Sequence, residues 1–198
     1  MTPPRADAAP ENAPDDETLM AALAADDFRA LDALMLRWQR PLHAFLYRHL
    51  LNDADALDLA QETFVRIHQH RARYRPGARF STWMFQIALN LARDHARKRS
   101  RRRTDSLDAA PPALAAGLAD PALPPDVAAR RAEEAAAVRS ALAELPEDLR
   151  AIIVLFEYQN LTHAEIAEVM GTTAKGVESR LYRAREKLRA RLTRWLRA

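Results

Sequence analysis

Apolar residues recur at helical spacing along most of the chain. Between Glu17 and Leu51 they fall at Leu19, Leu23, Phe28, Leu31, Leu34, Leu42, Phe45 and Leu46, a pattern that turns one face of a helical hairpin inward. Pro41 interrupts this run and predicts a kink or a restart, because proline has no amide hydrogen to donate. A third helix is predicted from about Ala54 to Arg73, with Leu57, Ala60, Phe64 and Ile67 at i, i+3, i+7 and i+10 as its buried stripe. The segment "RYRPGARFST" breaks that helix, and a fourth, capped by Ser81 or Thr82, runs from Trp83 to about Arg103. Four more helices are expected after it, at about Asp126 to Leu145, Glu147 to Gln159, His163 to Met170 and Ala174 to Leu196, with Pro146 between the first two.

Composition changes mark the boundaries between these groups. Residues 1–15 are rich in Pro, Ala and Asp, which predicts disorder, and "TDSLDAAPPALAAGLADPALPP" at 104–125 reads as a linker. Two small helical domains are therefore expected, at 16–103 and 126–198. Only 4 glycines in 198 residues, with abundant Ala, Leu, Arg and Glu, point to an all-α fold. No cysteine is present, so disulfides and thiolate metal sites are excluded and a reducing compartment is expected. The first residues lack an apolar leader core, and no run approaches the roughly 18 apolar residues of a membrane span, so a cytoplasmic protein without membrane insertion is expected. The net charge of +3 conceals clustered arginines, a signature of a polyanionic partner.

The stretch "THAEIAEVMGTTAKGVESRLYRA" at 162–184 carries the first candidate site. "THAE" is a capping box, Gly171 permits a tight turn, and Thr173 is placed to cap a second helix that Val177, Leu181 and Leu188 pack down. Thr172, Thr173, Lys175, Glu178, Ser179, Arg180 and Arg183 remain outward near its start. A recognition helix presents this end to the major groove, where Lys or Arg contacts guanine, Glu accepts from cytosine and hydroxyls hold phosphates. An ordinary helical hairpin with a solvated face is the competing reading. One such helix reads only a few base pairs, so a second contact or a dimer is needed.

Residues 71–103 supply a candidate for that second contact. Arg71, Arg73, Arg75 and Arg79 alternate with Tyr74, Phe80, Trp83 and Phe85, a composition suited to neutralising phosphates and stacking on unpaired bases. Gln86, Asn90, Arg93 and Arg97 then follow on one polar helical face, and the arginine run beyond adds phosphate affinity. Trp83, Phe85 and Ile87 read more readily as core residues than as base-stacking ones, because aromatics near a helix start usually pack inward.

In "DADALDLAQETF", Asp55, Asp58 and Glu62 lie near one helical face beside Gln61. Such a face can be merely solvated, can hold a divalent cation, or can dock a basic protein surface. No accompanying ligand set or glycine-rich phosphate loop supports metal chemistry, and His68 and His70 point apart on their helix, so neither a cofactor nor a metal is expected.

Three motifs in order, "DALDLAQETFVR", "YRPGARFSTWMFQIALNLARDHARK" and "LPEDLRAIIVLFEYQNLTHAEIAEVMGTTAKGVESRLYRAREKLR", resemble the extracytoplasmic-function (ECF) class of bacterial sigma factors over residues 17–103 and 126–192. The resemblance implies a two-domain, non-enzymatic initiation factor that binds core RNA polymerase and directs it to promoters. It implies that Asp55, Asp58, Gln61 and Glu62 dock on the clamp helices of the largest polymerase subunit, with the flap region receiving the C-terminal domain. It further implies minus-ten recognition and melting by Arg71, Tyr74, Arg75, Arg79, Trp83, Gln86, Asn90, Arg93 and Arg97, and minus-thirty-five recognition by the helix-turn-helix. Control by an anti-sigma factor is common in that class. The arginine-rich loop "RYRPGARF" and the helix start "TTAKGVESR" depart from the usual pattern and bear on base preference. Two rivals remain: a stand-alone dimeric helix-turn-helix regulator, and a metal-dependent DNA-processing enzyme using Asp58 and Glu62.

Overall fold

A computed structural model describes residues 14–75, 77–105 and 125–196. The disorder expected for residues 1–15 and the linker expected at 104–125 fall almost wholly outside the described residues. Within them the fold is all-α, with eight α-helices and no strand. They are α1 (Asp16–Ala24), α2 (Arg29–Leu50), α3 (Asp53–Gln69), α4 (Phe80–Asp105), α5 (Pro125–Ala143), α6 (Glu147–Glu157), α7 (His163–Met170) and α8 (Ala174–Leu196). A 3-10 turn, Arg71–Arg73, lies between α3 and α4.

Local chemistry sets most of the boundaries. The Asp15 carboxylate accepts from the Thr18 amide at 2.7 Å to start α1, and Asn52 Oδ1 accepts from the Asp55 amide at 3.1 Å to start α3. Leu51 takes a left-handed conformation, φ 60°, and turns the chain from α2 into α3. The restart expected at Pro41 does not occur: α2 continues through it. The lost backbone bond, worth about 3 kcal/mol, is outweighed by burial on either side, where each of Leu34, Leu42, Phe45 and Leu46 contributes about 1.5–3 kcal/mol.

α3 packs on α2, and α4 lies across both. Three aromatic rings anchor this group: Phe85 meets Phe45 edge-on at 5.1 Å and Trp38 at 6.2 Å. The buried stripe of α3 is Ala56, Ala60, Thr63, Phe64 and Ile67, so Leu57, expected inside, is 51% exposed. α3 also ends at Gln69, and the arginines beyond it enter the 3-10 turn rather than extending the helix to Arg73. α4 begins at Phe80, which places Ser81 and Thr82 in its buried first turn instead of at a cap.

In the C-terminal part, α6 buries Ala151 to Leu155, and α8 covers it with Val177, Leu181 and Ala184. Buried apolar residues of both parts join in one contiguous cluster, because α2 packs on α6 and α4 on α7. This seam positions the two candidate DNA-reading elements relative to each other.

Candidate nucleic-acid interface

The helix-turn-helix is built from three local devices. Thr162 Oγ1 accepts from the Glu165 amide at 3.3 Å while Glu165 Oε2 accepts from the Thr162 amide at 2.7 Å, closing the start of α7. Gly171 adopts φ 65°, a conformation that costs a side-chain-bearing residue roughly 1 kcal/mol or more, and ends α7. Thr173 Oγ1 then accepts from the Gly176 amide at 3.1 Å and starts α8.

Burial of Val177, Leu181 and Ala184 turns the opposite face of α8 outward. Thr173, Lys175, Glu178, Ser179 and Arg183 are exposed on it. Thr172 and Arg180 are half-buried and are engaged with each other, Arg180 Nη1 donating to Thr172 Oγ1 at 3.0 Å. Arg180 therefore braces the turn. Tyr182, which the sequence reasoning passed over, is 67% exposed beside Ser179 and Arg183. Its spacing of seven from Lys175 and three from Ser179 was the available signal.

The arginine and aromatic segment is organised differently. Tyr74 donates its hydroxyl to the Ala78 carbonyl and packs edge-on to Trp83 at 5.3 Å, closing the loop from within. Burial, reinforced by Glu17, Asp16 and Asp15, raises the Tyr74 phenol above its ordinary value, so it remains a neutral donor. Trp83 is half-buried against the core, whereas Phe80 and Phe85 are fully buried and belong to packing. Arg75, Asn90 and Arg97 are exposed.

Several of these cations already have carboxylate partners. Arg71 binds Asp26 at 2.5 Å, Arg97 binds Asp94, Arg79 binds Glu165, and Arg93 lies 3.6 Å from Asp148. The partners of Arg79 and Arg93 come from the C-terminal helices. Gln86 likewise donates to the Glu168 carbonyl at 3.5 Å. Of the expected polar face of α4, Gln86 and Arg93 are turned against the C-terminal helices, whereas Asn90 and Arg97 remain exposed.

Burial alone would raise the Glu165 carboxyl, yet donation from Arg79 and from the Thr162 amide and hydroxyl outweighs it and holds the group below its ordinary value. Glu147 is also held low, chiefly by the imidazole of His49 and against the effect of its own burial. Burial pushes the Arg150 guanidinium down, but its carbonyl partners keep it hydrogen-bonded.

The acidic face of α3 divides in two. Asp58 and Gln61 are exposed, and Glu62 pairs with Arg66 at 2.7 Å. Asp55 instead points toward α4, with Arg99 at 3.4 Å and His95 at 3.6 Å, and these residues line a shallow cleft with Asn52 and Lys98. One exposed leucine, Leu57, lies on the same helix beside Asp58. No group of three or more His, Asp or Glu side chains among the described residues could hold a metal ion. Nor is any helix among them long and apolar enough to cross a membrane.

A capped helix-turn-helix in one helical unit and an arginine and aromatic loop in the other are features of the class of nucleic-acid-binding proteins. The models "Sigma-70 region 2" and "Sigma-70, region 4" match residues 34–102 and 135–188. The chain is 34% identical over 175 residues to the RNA polymerase sigma-H factor of Pseudomonas aeruginosa, covering 86% of this chain and 90% of that one. It is 28% identical over 175 residues to the ECF RNA polymerase sigma-E factor of Escherichia coli K12, covering 86% and 91%. Its fold is similar to that of the sigma factor RpoE in complex with the anti-sigma factor NepR from Bartonella quintana, with TM-score 0.70 and 23% identity over 82% of this chain and 96% of that one. CnrH in complex with the cytosolic domain of CnrY matches with TM-score 0.66 and 29% identity, covering 90% and 97%.

The chain belongs to the sigma-70 family, in its ECF class. It is a non-enzymatic initiation factor that binds core RNA polymerase and directs it to promoters. The stand-alone regulator and the DNA-processing enzyme are not favoured.

Proposed function

We propose that residues 126–198 form the unit that reads the upstream, minus-thirty-five element, and residues 16–103 the unit that docks on polymerase and opens the minus-ten element. One observation carries the upstream assignment: Lys175, Glu178, Ser179 and Arg183 are exposed on one face of α8 while Val177, Leu181 and Ala184 anchor the other. Tyr182 joins that face, and Thr172, Thr173 and Arg180 hold the turn that aims it. A good bidentate base contact discriminates by about 1–3 kcal/mol, enough for a short element when a second site shares the binding.

Arg71, Tyr74, Arg75, Arg79, Trp83, Gln86, Asn90, Arg93 and Arg97 serve the minus-ten element. Arginines neutralise the displaced strand, and the Tyr74–Trp83 pair offers a platform where stacking is worth about 1–3 kcal/mol per base. Asp58, Gln61 and Glu62, with Leu57 beside them, dock on the clamp helices of the largest polymerase subunit, and Asp55 positions α4 behind them. The flap region receives the C-terminal unit. The likeness to CnrH, whose structure holds the cytosolic domain of CnrY, supports an anti-sigma partner for this chain as well. The protein works in the cytoplasm, where core polymerase is found, and no metal or cofactor enters its action.

The test is run-off transcription by core polymerase on promoter DNA with and without this chain. Initiation that depends on the chain and fails when Lys175 and Arg183 are both replaced by alanine supports the reading. Initiation unaffected by that double substitution removes the upstream assignment.

A further inference from the structure

The turn between α1 and α2 carries an aromatic ring that the core does not take up. Apolar periodicity places Phe28 inward, yet the residue is 53% exposed at the entrance to α2. Asp26 turns the chain there with φ 67°, a left-handed conformation that short polar residues tolerate, and the Asp27 carboxylate accepts from the Arg29 amide at 3.1 Å.

Residues from the end of α3 and the 3-10 turn hold the ring in place. His68 packs against it with ring centroids 5.4 Å apart, and the Arg71 guanidinium lies 5.9 Å over its face. Arg71 is fixed in turn: Nε and Nη2 donate to Asp26 Oδ1 at 3.2 Å and 2.5 Å, and Nη1 donates to the His68 carbonyl at 3.0 Å. Every nitrogen of this guanidinium is committed within the protein, so Arg71 sets the ring rather than meeting a phosphate.

The cations available for phosphate stand beside it. Arg29 follows Phe28 directly, and Arg73 lies in the same 3-10 turn as Arg71; both are exposed, and neither has a carboxylate partner among the described residues. Tyr74 lies three residues beyond Arg71, about 6 Å at the rise of a 3-10 turn, so Phe28 adjoins the loop that Tyr74 and Trp83 close. An exposed aromatic ring flanked by unpaired cations is the arrangement that holds an unstacked base and its neighbouring phosphates.

We propose that Phe28 is a further base-stacking platform for the displaced promoter strand, with Arg29 and Arg73 on the adjoining phosphates and Arg71 as the positioning residue that presents the ring. The proposal rests on the assignment of Arg71 to Arg79 to the minus-ten element, and it extends that surface onto the turn before α2. Every base has a π-face, so this contact strengthens opening without choosing a base.

The test uses core polymerase loaded with the full chain, and promoter DNA with a non-complementary bubble over the minus-ten region. Single abasic sites are placed in turn along the displaced strand. Phe28→Ala is expected to weaken binding of the intact bubble about tenfold, the scale of one stacked base, and Phe28→Trp to retain it. At one position an abasic site should cost the parent about tenfold and Phe28→Ala nothing, which pairs that base with this ring. Arg29→Ala/Arg73→Ala should weaken binding and lower its salt dependence, whereas Arg71→Ala should remove the pairing with the base and leave the salt dependence unchanged.

Equal affinity of Phe28→Ala and parent overturns the proposal, and so do equal abasic penalties in the two at every position. Weaker loading of Phe28→Ala onto core polymerase without DNA would make the ring a protein contact and would overturn it as well. Arg75→Ala separates this proposal from the reading beneath it. If Arg75→Ala weakens bubble binding and Phe28→Ala does not, the Phe28 platform alone fails; unchanged binding by both removes the minus-ten assignment of the loop too.

Discussion

The carboxylate of Glu165 binds the guanidinium of Arg79, 86 positions earlier in the chain, while its second oxygen caps the helix that begins the helix-turn-helix. One side chain thus serves local folding and long-range closure together. Glu165→Ala removes both roles and is expected to cost about 1–2 kcal/mol of stability, the usual loss for a cap with its partner. Glu165→Gln keeps an oxygen for the Thr162 amide, so urea unfolding should place it nearer to wild type while the Arg79 ion pair is lost. Equal destabilisation by the two substitutions would deny the separation of roles.

The carboxylates of α3 have unequal surroundings, and substitutions should sort them. Asp58→Arg, on an exposed side chain, is expected to leave the thermal midpoint nearly unchanged and to abolish co-purification with core polymerase. Leu57→Ala should likewise change stability by no more than about 0.5 kcal/mol while weakening that interaction. Asp55→Ala should behave oppositely, lowering stability through loss of Arg99 and His95 and affecting polymerase binding less. Asp55→Ala failing to bind polymerase at wild-type stability would restore it to the docking face.

Gly176 sits among the caps of the recognition helix. An added Cβ would lie 2.9 Å from Thr172 Oγ1 and 3.2 Å from Thr173 Oγ1, the two hydroxyls that accept from Arg180 and from the Gly176 amide. Elsewhere in a helix, glycine to alanine stabilises by about 1 kcal/mol. Here the hydroxyls must move, so Gly176→Ala should show no such gain and should bind upstream-element duplex more weakly. A raised midpoint with unchanged duplex affinity would contradict the crowding argument.

What could be read from the sequence was local. The Thr162/Glu165 box, the Gly171 turn and the Thr173 cap depend on residues within a few positions of one another, so spacing alone reveals them. The phase of α3 was misjudged because Ala56 and Leu57 are adjacent, 100° apart on the helix, and the larger apolar residue was placed inside. Packing against α2 selects the smaller one. Pro41 was overweighted because its local cost is plain in the sequence while the compensating burial of Phe45 and Leu46 arises from other helices. Partners such as Glu165 for Arg79, Asp148 for Arg93 and the His49 carbonyl for Arg150 depend on how the two units meet, which no periodicity encodes.

Closure of the seam should weaken in acid. Glu147 and Glu165 both have carboxyls held below their ordinary value of 4.5, so in the folded chain they bind protons less readily than in the unfolded one. Stability from such groups is fully present above about pH 4.5 and is lost as the pH falls through their lower folded-state values, because the unfolded state takes up protons first. Thermal midpoints measured from about pH 6 to about pH 3.5 should therefore fall for wild type, and fall less for Glu147→Gln/Glu165→Gln, which no longer titrates at those positions. Other carboxylates titrate in both proteins, so the difference between the curves isolates this pair. Parallel curves would mean that neither glutamate carries the acid sensitivity. A smaller slope confined to the range below about pH 4.5 ties that sensitivity to the His49 and Arg79 contacts across the seam.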